Sequence, residues 1–257
     1  MKRRLFVAGT AALAAAAFAL TGCADTSKPN TNVNPPASSA PAISAKEAFS
    51  SALKKLNETS SKAEMSMDGM AAMKGTAVTD PAGKKAHATN EVTALDVKVK
   101  TEIISVNGEV WVKMSGVPGL PDKWMHVAAD KVKAGGGLDI SKDSSAKLES
   151  AVVTVERDGE TGFKGTLDMS KAGTANEEML KQLGDKAKAV PFTATVDAKG
   201  RVTSIVIDMT AVVPGTGKLT TTYSGFGDPV TVTPPAAGDV VEMPAQFLDA
   251  LNKASAS

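Results

Sequence analysis

The sequence predicts an α+β fold in which a broad antiparallel β-sheet packs against a few short helices. Three observations lead to this prediction: apolar and polar residues alternate along several segments, Gly-containing turn signals join these segments, and helical spacing is confined to short stretches. Helices so few and so short cannot cover both faces of a parallel sheet. They should instead pack on one face of an antiparallel one.

The chain begins with a segment typical of bacterial export signals. Lys2, Arg3 and Arg4 precede an uncharged apolar run at residues 5–20, and its 16 residues are fewer than the roughly 20 needed to span a membrane. We therefore predict that residues 1–22 are a signal peptide. Export by the ordinary route and export in the folded state by a twin-arginine route both stay open.

Cys23 is the only cysteine in the 257 residues, so it cannot form an internal disulfide. Residues 20–23, Leu-Thr-Gly-Cys, resemble the lipobox of bacterial lipoproteins, in which the cysteine thiol takes a diacylglyceryl group and becomes the mature N-terminus. Two or more acyl chains hold a protein stably at a membrane. The sequence thus predicts lipidation of Cys23 and a chain anchored on the outer face of the cell membrane. The alternative is an ordinary signal peptide with an accidental cysteine.

Beyond the acylated cysteine, residues 23–43 form a predicted disordered tether, and residues 44–257 a single domain. The tether is rich in Pro, Ser, Asn and Thr and nearly free of large apolar side chains. The domain shows no internal boundary and no repeat. Its charges nearly balance, without a long block of one sign, which gives no support for nucleic-acid binding.

The domain should open with a helix and continue as strands. Ser44 to Glu47 fits a capping box, and apolar residues at helical spacing follow it to about Asn57. In Phe163–Met169 the odd positions are then apolar or glycine, as in a strand with one buried face. The same alternation runs through segments around Val112, Ala194 and Ile207, and the turn signals between strands are Asn107-Gly108, Asp158-Gly159 and residues 197–200.

Three further helices are predicted after the first strands. One covers residues 144–150 and another residues 175–189, where Met179, Leu180 and Leu183 are apolar. Pro244 suits the first turn of a last short helix.

The order of these segments resembles that of a known family. VNGEVWVKM, DKWMHV, SSAKLESAV, ERDGETGFKGTLDM, VDAKGRVTSIVIDM and YSGFGDPVTVTPP follow a lipobox and a Pro/Ser tether. In the order of these segments, the chain resembles the LppX/LprA/LprF/LprG family of actinobacterial lipoproteins over most of residues 44–240. The resemblance implies a strongly curved, half-barrel antiparallel sheet with helices on its concave face, similar to LolA and LolB.

The resemblance also implies a function. Members of this family bind acylated lipids or lipoglycans between sheet and helices, move them across the cell envelope, and have no catalytic centre. We therefore expect a monomeric lipid carrier, with a membrane lipid transporter as a partner still open and with no cofactor. A scaffold or sensor that kept the fold and lost the pocket would share the same pattern.

A carrier of acyl chains needs an apolar cavity lined by adaptable side chains. The chain has 11 Met and only 4% aromatic residues, and Met is over-used at promiscuous binding surfaces, although it is also ordinary core filler. The aromatic content is lower than we expect around a large lipid with several acyl chains, which leaves the size of the cavity open. The predicted cavity lining is Phe49, Leu53, Val110, Val112, Met114, Phe163, Leu167, Met179, Leu183, Phe192, Ile205 and Ile207.

Copper handling is the alternative from another class of function. Met65, Met67, Met70 and Met73 lie close together, and thioethers bind Cu(I), with His87 and His126 as available imidazoles. Strand alternation points Met65 and Met67 to one face, where burial explains them equally well, and the two His are far apart in sequence. We accordingly predict no metal site.

Catalytic motifs are incomplete wherever they occur. Ser51 and Ser144 each have a Lys three residues later, yet the S-D-N and K-T-G motifs that accompany this pattern in β-lactamases are missing. Residues 214–218 imitate the end of a phosphate-binding loop, but Val212 stands where its first glycine is required. The sequence therefore predicts that the protein is not an enzyme.

Overall fold

Within the described residues, twelve β-strands form one open, curved sheet. The structure is a computed structural model that describes residues 43–95, 97–132, 144–172, 180 and 183–254. The chain divides into two units, residues 1–41 and 42–257, and all that follows concerns the second. The strands are β1 (Ser61–Met67), β2 (Ala71–Asp80), β3 (Lys85–Ala94), β4 (Val97–Val106), β5 (Glu109–Ser115), β6 (Trp124–Val127), β7 (Val152–Asp158), β8 (Gly162–Leu167), β9 (Val190–Val196), β10 (Val202–Asp208), β11 (Lys218–Ser224) and β12 (Val240–Glu242).

Two antiparallel meanders build the sheet. Strands β1 to β6 follow one another in space, as do β7 to β11, and the two meanders join where β1 pairs with β11. The full order is β12-β6-β5-β4-β3-β2-β1-β11-β10-β9-β8-β7. The predicted α+β class with a broad, largely antiparallel sheet is thus confirmed.

Strand β12 departs from the predicted antiparallel pattern. It pairs with β6 in parallel, with Val240 opposite Trp124 and Glu242 opposite His126. The reason is topological, because β11 lies in the middle of the sheet and the chain must return past the whole first meander to reach the edge beside β6. The sheet is therefore mixed.

The described helices are short and agree with three of the predicted ones. Helix α1 (Ala45–Lys54) continues as a 3₁₀ turn to Asn57, α2 covers Ser144–Ala151, and α3 covers Ala245–Ala254 directly after Pro244. The predicted capping box is present, since the Glu47 backbone N–H donates to Ser44 Oγ at 3.2 Å and the Ser44 N–H donates to the Glu47 carboxylate at 3.0 Å. None of the helices that the structure describes is both long and apolar enough to cross a membrane.

The predicted helix at residues 175–189 lies partly outside the described residues. Leu180 and Leu183 are helical, but Gly184–Lys188 forms a 3₁₀ helix and not the α-helix expected there. Gly184 has a φ of +53°, in the left-handed region, and an α-helix does not continue through such a residue.

Tight turns set the pairing of the hairpins. Asn107 and Gly108, between β4 and β5, have φ values of +54° and +91°, which is the conformation of the two-residue turn that favours Asn-Gly. This turn was predicted from sequence, and it sets the register in which Val106 lies opposite Glu109.

The apolar core consists of two separate clusters. The first cluster lies between α1, α2 and strands β8 to β10, and its most buried side chains include Phe49, Leu53, Phe163, Leu167 and Val190. The second cluster lies on β4 to β6 with α3 over it, and contains Ile103, Val110, Val112, Met125, Val127 and Met243. The two meanders therefore bury their apolar side chains independently of each other.

Candidate functional site

All strand residues of the predicted cavity lining lie on one face of the sheet. Residues directly opposite each other in a sheet share a face, and the pairing runs without interruption from Phe163 through Ala194, Ile205, Thr221, Met65, Gly75, Asn90 and Thr101 to Met114. Alternation then places Val110, Val112, Leu167, Phe192 and Ile207 on it too. We call this the inner face.

The first cluster fills one side of the inner face. The ring of Phe49 on α1 lies with its centroid 5.3 Å from those of both Phe163 and Phe192, and all three side chains are buried. Leu53, Leu167 and Ile205 are buried in the same cluster, and Leu183 and Ile207 pack against it. These predicted lining residues are therefore brought together, but as a closed core.

The second cluster includes three other residues of the predicted lining. Val110 and Val112 are buried there, and Met114 packs against them. The structure thus divides the predicted lining between two places on the same face. Met179 lies outside the described residues.

Between the two clusters runs a strip of small and flexible side chains on β1, β2 and β3. Neither cluster, as far as the structure describes it, includes a side chain from these three strands. The strip is half-buried except at Val92, which is 38% exposed. We call it the central strip, and its inner-face members are Ala63, Met65, Met67, Met73, Gly75, Ala77, Ala88, Asn90 and Val92.

Gly75 makes room at the middle of the central strip. A Cβ atom at this position would lie 2.3 Å from Asn90 Oδ1 and 3.3 Å from Met65 Cε. The side chains of Asn90 and Met65 therefore extend over the backbone of β2. Asn90 brings an amide that both donates and accepts hydrogen bonds into an otherwise apolar surface.

One small cavity reaches the first cluster from outside. It lies between α1, α2 and β7, has a volume of about 210 Å³, and is lined by Phe49, Leu53 and Val152 with Lys46, Glu47, Ser50 and Glu149 around them. Ligand pockets usually measure about 300–1,000 Å³. This cavity alone is too small for a lipid with several acyl chains.

On the opposite face, His126 lies between two carboxylates. Protonated His126 donates from Nε2 to Glu109 at 2.6 Å and from Nδ1 to Glu242 at 3.0 Å. The hydrogen bond to Glu242 is the main cause that raises the pKa of His126, with Glu109 adding to it against partial burial. Because Glu109, His126 and Glu242 stand on β5, β6 and β12, this arrangement ties the edge of the sheet together.

Trp111 belongs to the same outer site. It lies opposite His126 with the ring centroids 5.4 Å apart, on the face away from Val110 and Val112. An open groove of about 440 Å³ runs beside it, bordered by Pro235, Ala237 and Val240. Sequence reasoning missed this cluster, because Glu242 lies 116 residues beyond His126 and becomes its neighbour only through strand pairing.

The side chains considered for copper are divided between the faces. Met65, Met67 and Met73 share the inner face, and Met67 is directly opposite Met73. His87 lies on the outer face, where it pairs with Glu102 at 2.9 Å. Among the described residues, no group of His, Cys, Asp or Glu side chains has the arrangement of a metal site.

The architecture defines an α+β protein whose open mixed sheet has two apolar clusters on its inner face and small and flexible side chains between them. No protein-family model and no curated protein matches the chain. The residues of the inner face are therefore the main guide to its function.

Proposed function

We propose that the protein is a membrane-anchored lipoprotein that binds an acylated lipid or lipoglycan on the inner face of its sheet, beneath its helices, and carries it across the cell envelope. In this proposal the sheet is the half-barrel of a LolA/LolB-like carrier and Cys23 is its lipid anchor. The observation that carries the proposal is the central strip, an apolar surface of small and flexible side chains between two filled clusters.

The dimensions of the central strip suit an acyl chain. Strand β1 has seven residues, and at about 3.3 Å per residue it is about 23 Å long. Burial of apolar surface stabilises a complex by about 25 cal/mol per Å², without requiring a defined ligand shape. Acyl chains lying along β1 to β3 would therefore be held mainly by the hydrophobic effect.

The composition of the central strip also suits a mobile ligand. Ala63, Ala77 and Ala88 have short side chains that leave space above the sheet, whereas larger residues would fill it. Met65, Met67 and Met73 have unbranched, polarizable side chains that adapt to changing partners. Asn90 supplies a hydrogen-bonding group for an ester or amide of the cargo.

The two clusters account for the stability of such a carrier. Each buries its own apolar side chains without a contribution from the described residues of the central strip. The central strip is thus free to exchange cargo without loss of the core.

The proposal is tested by native mass spectrometry and organic extraction of the protein purified from an actinobacterial host. We expect the wild type to retain acyl lipid. Ala77→Trp places a large ring on β2, the middle strand of the central strip, and should reduce the bound lipid at least severalfold.

The neighbouring residue provides a matched control. Thr76 is exposed on the outer face of the same strand, so Thr76→Trp adds the same ring on the side away from the central strip. This variant should retain lipid like the wild type. A wild-type protein free of lipid after incubation with envelope extract would rule out the carrier function.

Copper binding is a second candidate because three thioethers share the inner face. Met67 and Met73 are a directly opposed cross-strand pair, with Met65 two residues along the same face. Thioethers are soft ligands suited to Cu(I). Competition with a chromogenic Cu(I) chelator distinguishes the candidates: a Met67→Leu, Met73→Leu variant would lose a copper site but keep its affinity for lipid. Absence of both ligands would leave a scaffold or sensor of the same fold.

A further inference from the structure

The most exposed large apolar side chains gather at one end of the sheet. Met70 follows β1 and is 68% exposed, Leu95 lies between β3 and β4 and is 93% exposed, and Val97 at the start of β4 is 57% exposed. The turns that carry them point the same way, because β1 and β3 both end here and β2 and β4 both begin here. We call this the hairpin end.

Leu95 occupies a position that its own conformation disfavours. It follows the paired Ala94 and has a φ of +49°, in the left-handed region. Two-residue hairpin turns of this kind favour Asn or Gly, and a bulky residue with positive φ is uncommon. A strained residue that is almost fully exposed contributes little to the fold, which points to a role in contact with something else.

The hairpin end projects beyond its neighbours. The last pair between β4 and β5 is Lys100 with Ser115, so residues 97–99 extend past the β5 ladder. On the other side, Ala71 and Ala72 of β2 extend past Met67, the last residue of β1. Leu95 and Val97 are therefore carried outward, clear of the flanking strands.

The described part of the chain begins toward this same end. Lys55, just after α1, donates from Nζ to the Lys199 carbonyl at 2.7 Å, and Lys199 lies in the β9–β10 turn at the opposite end of the sheet. Ser50, one turn earlier, donates to Glu149 of α2, just before β7 begins at the hairpin end. Helix α1 thus starts toward the hairpin end, where Ile43 is 60% exposed.

We propose that the hairpin end is a membrane-contact surface, in which Leu95, Val97 and Met70 enter the bilayer to which the chain is anchored. This inference rests on the proposed anchor at Cys23, since about 20 residues of the disordered kind expected from the sequence would span on the order of 25 Å. A few apolar side chains bind a bilayer weakly alone but effectively beside an anchor. Contact at this end orients the strands, and the central strip that runs along them, toward the bilayer.

The test measures this contact in a protein that lacks the proposed lipid anchor at Cys23. A chain starting at residue 23 keeps the whole second unit. With Cys23→Ser and an N-terminal hexahistidine tag, it is tethered to vesicles of phosphatidylethanolamine and phosphatidylglycerol that contain a nickel-chelating lipid. The result then depends neither on acylation nor on cargo, and mass spectrometry of the natural lipoprotein tests the anchor separately.

An environment-sensitive fluorophore reports the contact. In the Cys23→Ser background, Leu95→Cys and the control Glu160→Cys each provide a single thiol, and Glu160 is exposed in the β7–β8 turn at the opposite end. On tethering, the label at position 95 should shift to the blue and be quenched by nitroxide-labelled acyl chains, while the label at 160 should not. Equal, water-like spectra at both positions would overturn the proposal. So would a concentration-dependent blue shift at 95 without vesicles, which would identify a second copy of the chain as the partner.

A second variant separates membrane contact from folding. Leu95→Asn supplies a residue that the turn favours, so the protein should unfold at the same or a higher temperature. Loss of the leucine should weaken partition of the tagless Cys23→Ser chain to the same phospholipid vesicles by about tenfold. Unchanged partition would contradict the proposal.

Discussion

His126 controls how firmly the C-terminal edge of the sheet is held. The groups that face it are Glu109 and Trp111 from β5 and Glu242 from β12. Its charged form is favoured in the folded state, chiefly by Glu242, and its pKa is raised above the usual 6.5. Its contribution to stability is therefore fully present below about pH 6.5 and is lost as the pH rises through the raised pKa.

We expect β12 to exchange its amide hydrogens faster as the pH increases above this range, after correction for intrinsic exchange. In His126→Gln the additional pH dependence should disappear. Glu109 acts in the opposite direction, because its hydrogen bonds to His126 and to the Ala129 N–H lower its pKa and its contribution is lost in acid. Hydrogen exchange of the β6–β12 region between pH 5.5 and 8.5 measures the effect, and a pH-independent corrected rate would contradict it.

Phe49 packs helix α1 against the strands of the first cluster. It is 1% exposed and contacts the rings of Phe163 and Phe192 from α1. Truncation of a buried Phe to Ala usually costs about 3–5 kcal/mol. Phe49→Ala should lower the free energy of unfolding by that amount in urea titration, while Ile43→Ala, at an exposed position on the same segment, should leave it nearly unchanged.

At the scale of the element, the capping box determines where α1 begins. Ser44→Ala removes the hydroxyl that accepts from the Glu47 N–H and should cost about 1 kcal/mol. Glu47→Gln keeps a side chain that is able to accept from the Ser44 N–H and should cost less. Thermal unfolding of the two variants measures the difference, and equal losses would show that the box is not the source of the stability.

The helices, strands and turns that were predicted correctly are those whose sequence pattern is strong over a few neighbouring residues. The capping box of α1, the alternation in β5 and β8 to β10, and the Asn107-Gly108 turn depend on neighbouring residues alone, and all agree with the structure. Strands β2 and β3 were overlooked because alanine, glycine and threonine replace large apolar residues on their inner face. The alternation of Val97, Val99, Thr101 and Ile103 in β4 would have been sufficient to find that strand.

The candidate site was predicted only in part, because small residues on the inner face give no strong local pattern. Large apolar residues such as Phe163 and Val112 were selected, and they are correctly placed on one face. They fill the two clusters because large side chains pack where other elements cover them. The central strip depends on what small residues leave open, and that is visible only when Ala63, Ala77 and Ala88 become neighbours across three strands.

At the scale of the whole molecule, two cores share one sheet. The halves are connected where β1 pairs with β11, and each half has its own apolar cluster. Proteins open in cooperative units that follow such contacts. Loss of packing in one cluster should therefore lower the local stability mainly in its own half of the sheet.

Val112→Ala tests this division. The residue is 2% exposed in the second cluster, and its truncation should accelerate hydrogen exchange in β4 to β6 and α3. Protection in β8 to β10 should remain close to that of the wild type. Uniform acceleration across the twelve strands would show that the sheet opens as a single unit instead.

The order of the strands also determines whether neighbouring copies of the protein aggregate through their strand edges. Free strand edges recruit other strands and lead to fibres, and long apolar edges do so most readily. Among the described residues, the sheet ends at β12, which has three residues, and at β7, whose last residues Glu156, Arg157 and Asp158 are exposed and charged. Each strand between them pairs with a neighbour on both sides over part or all of its length, so many copies held side by side on a surface should remain separate molecules.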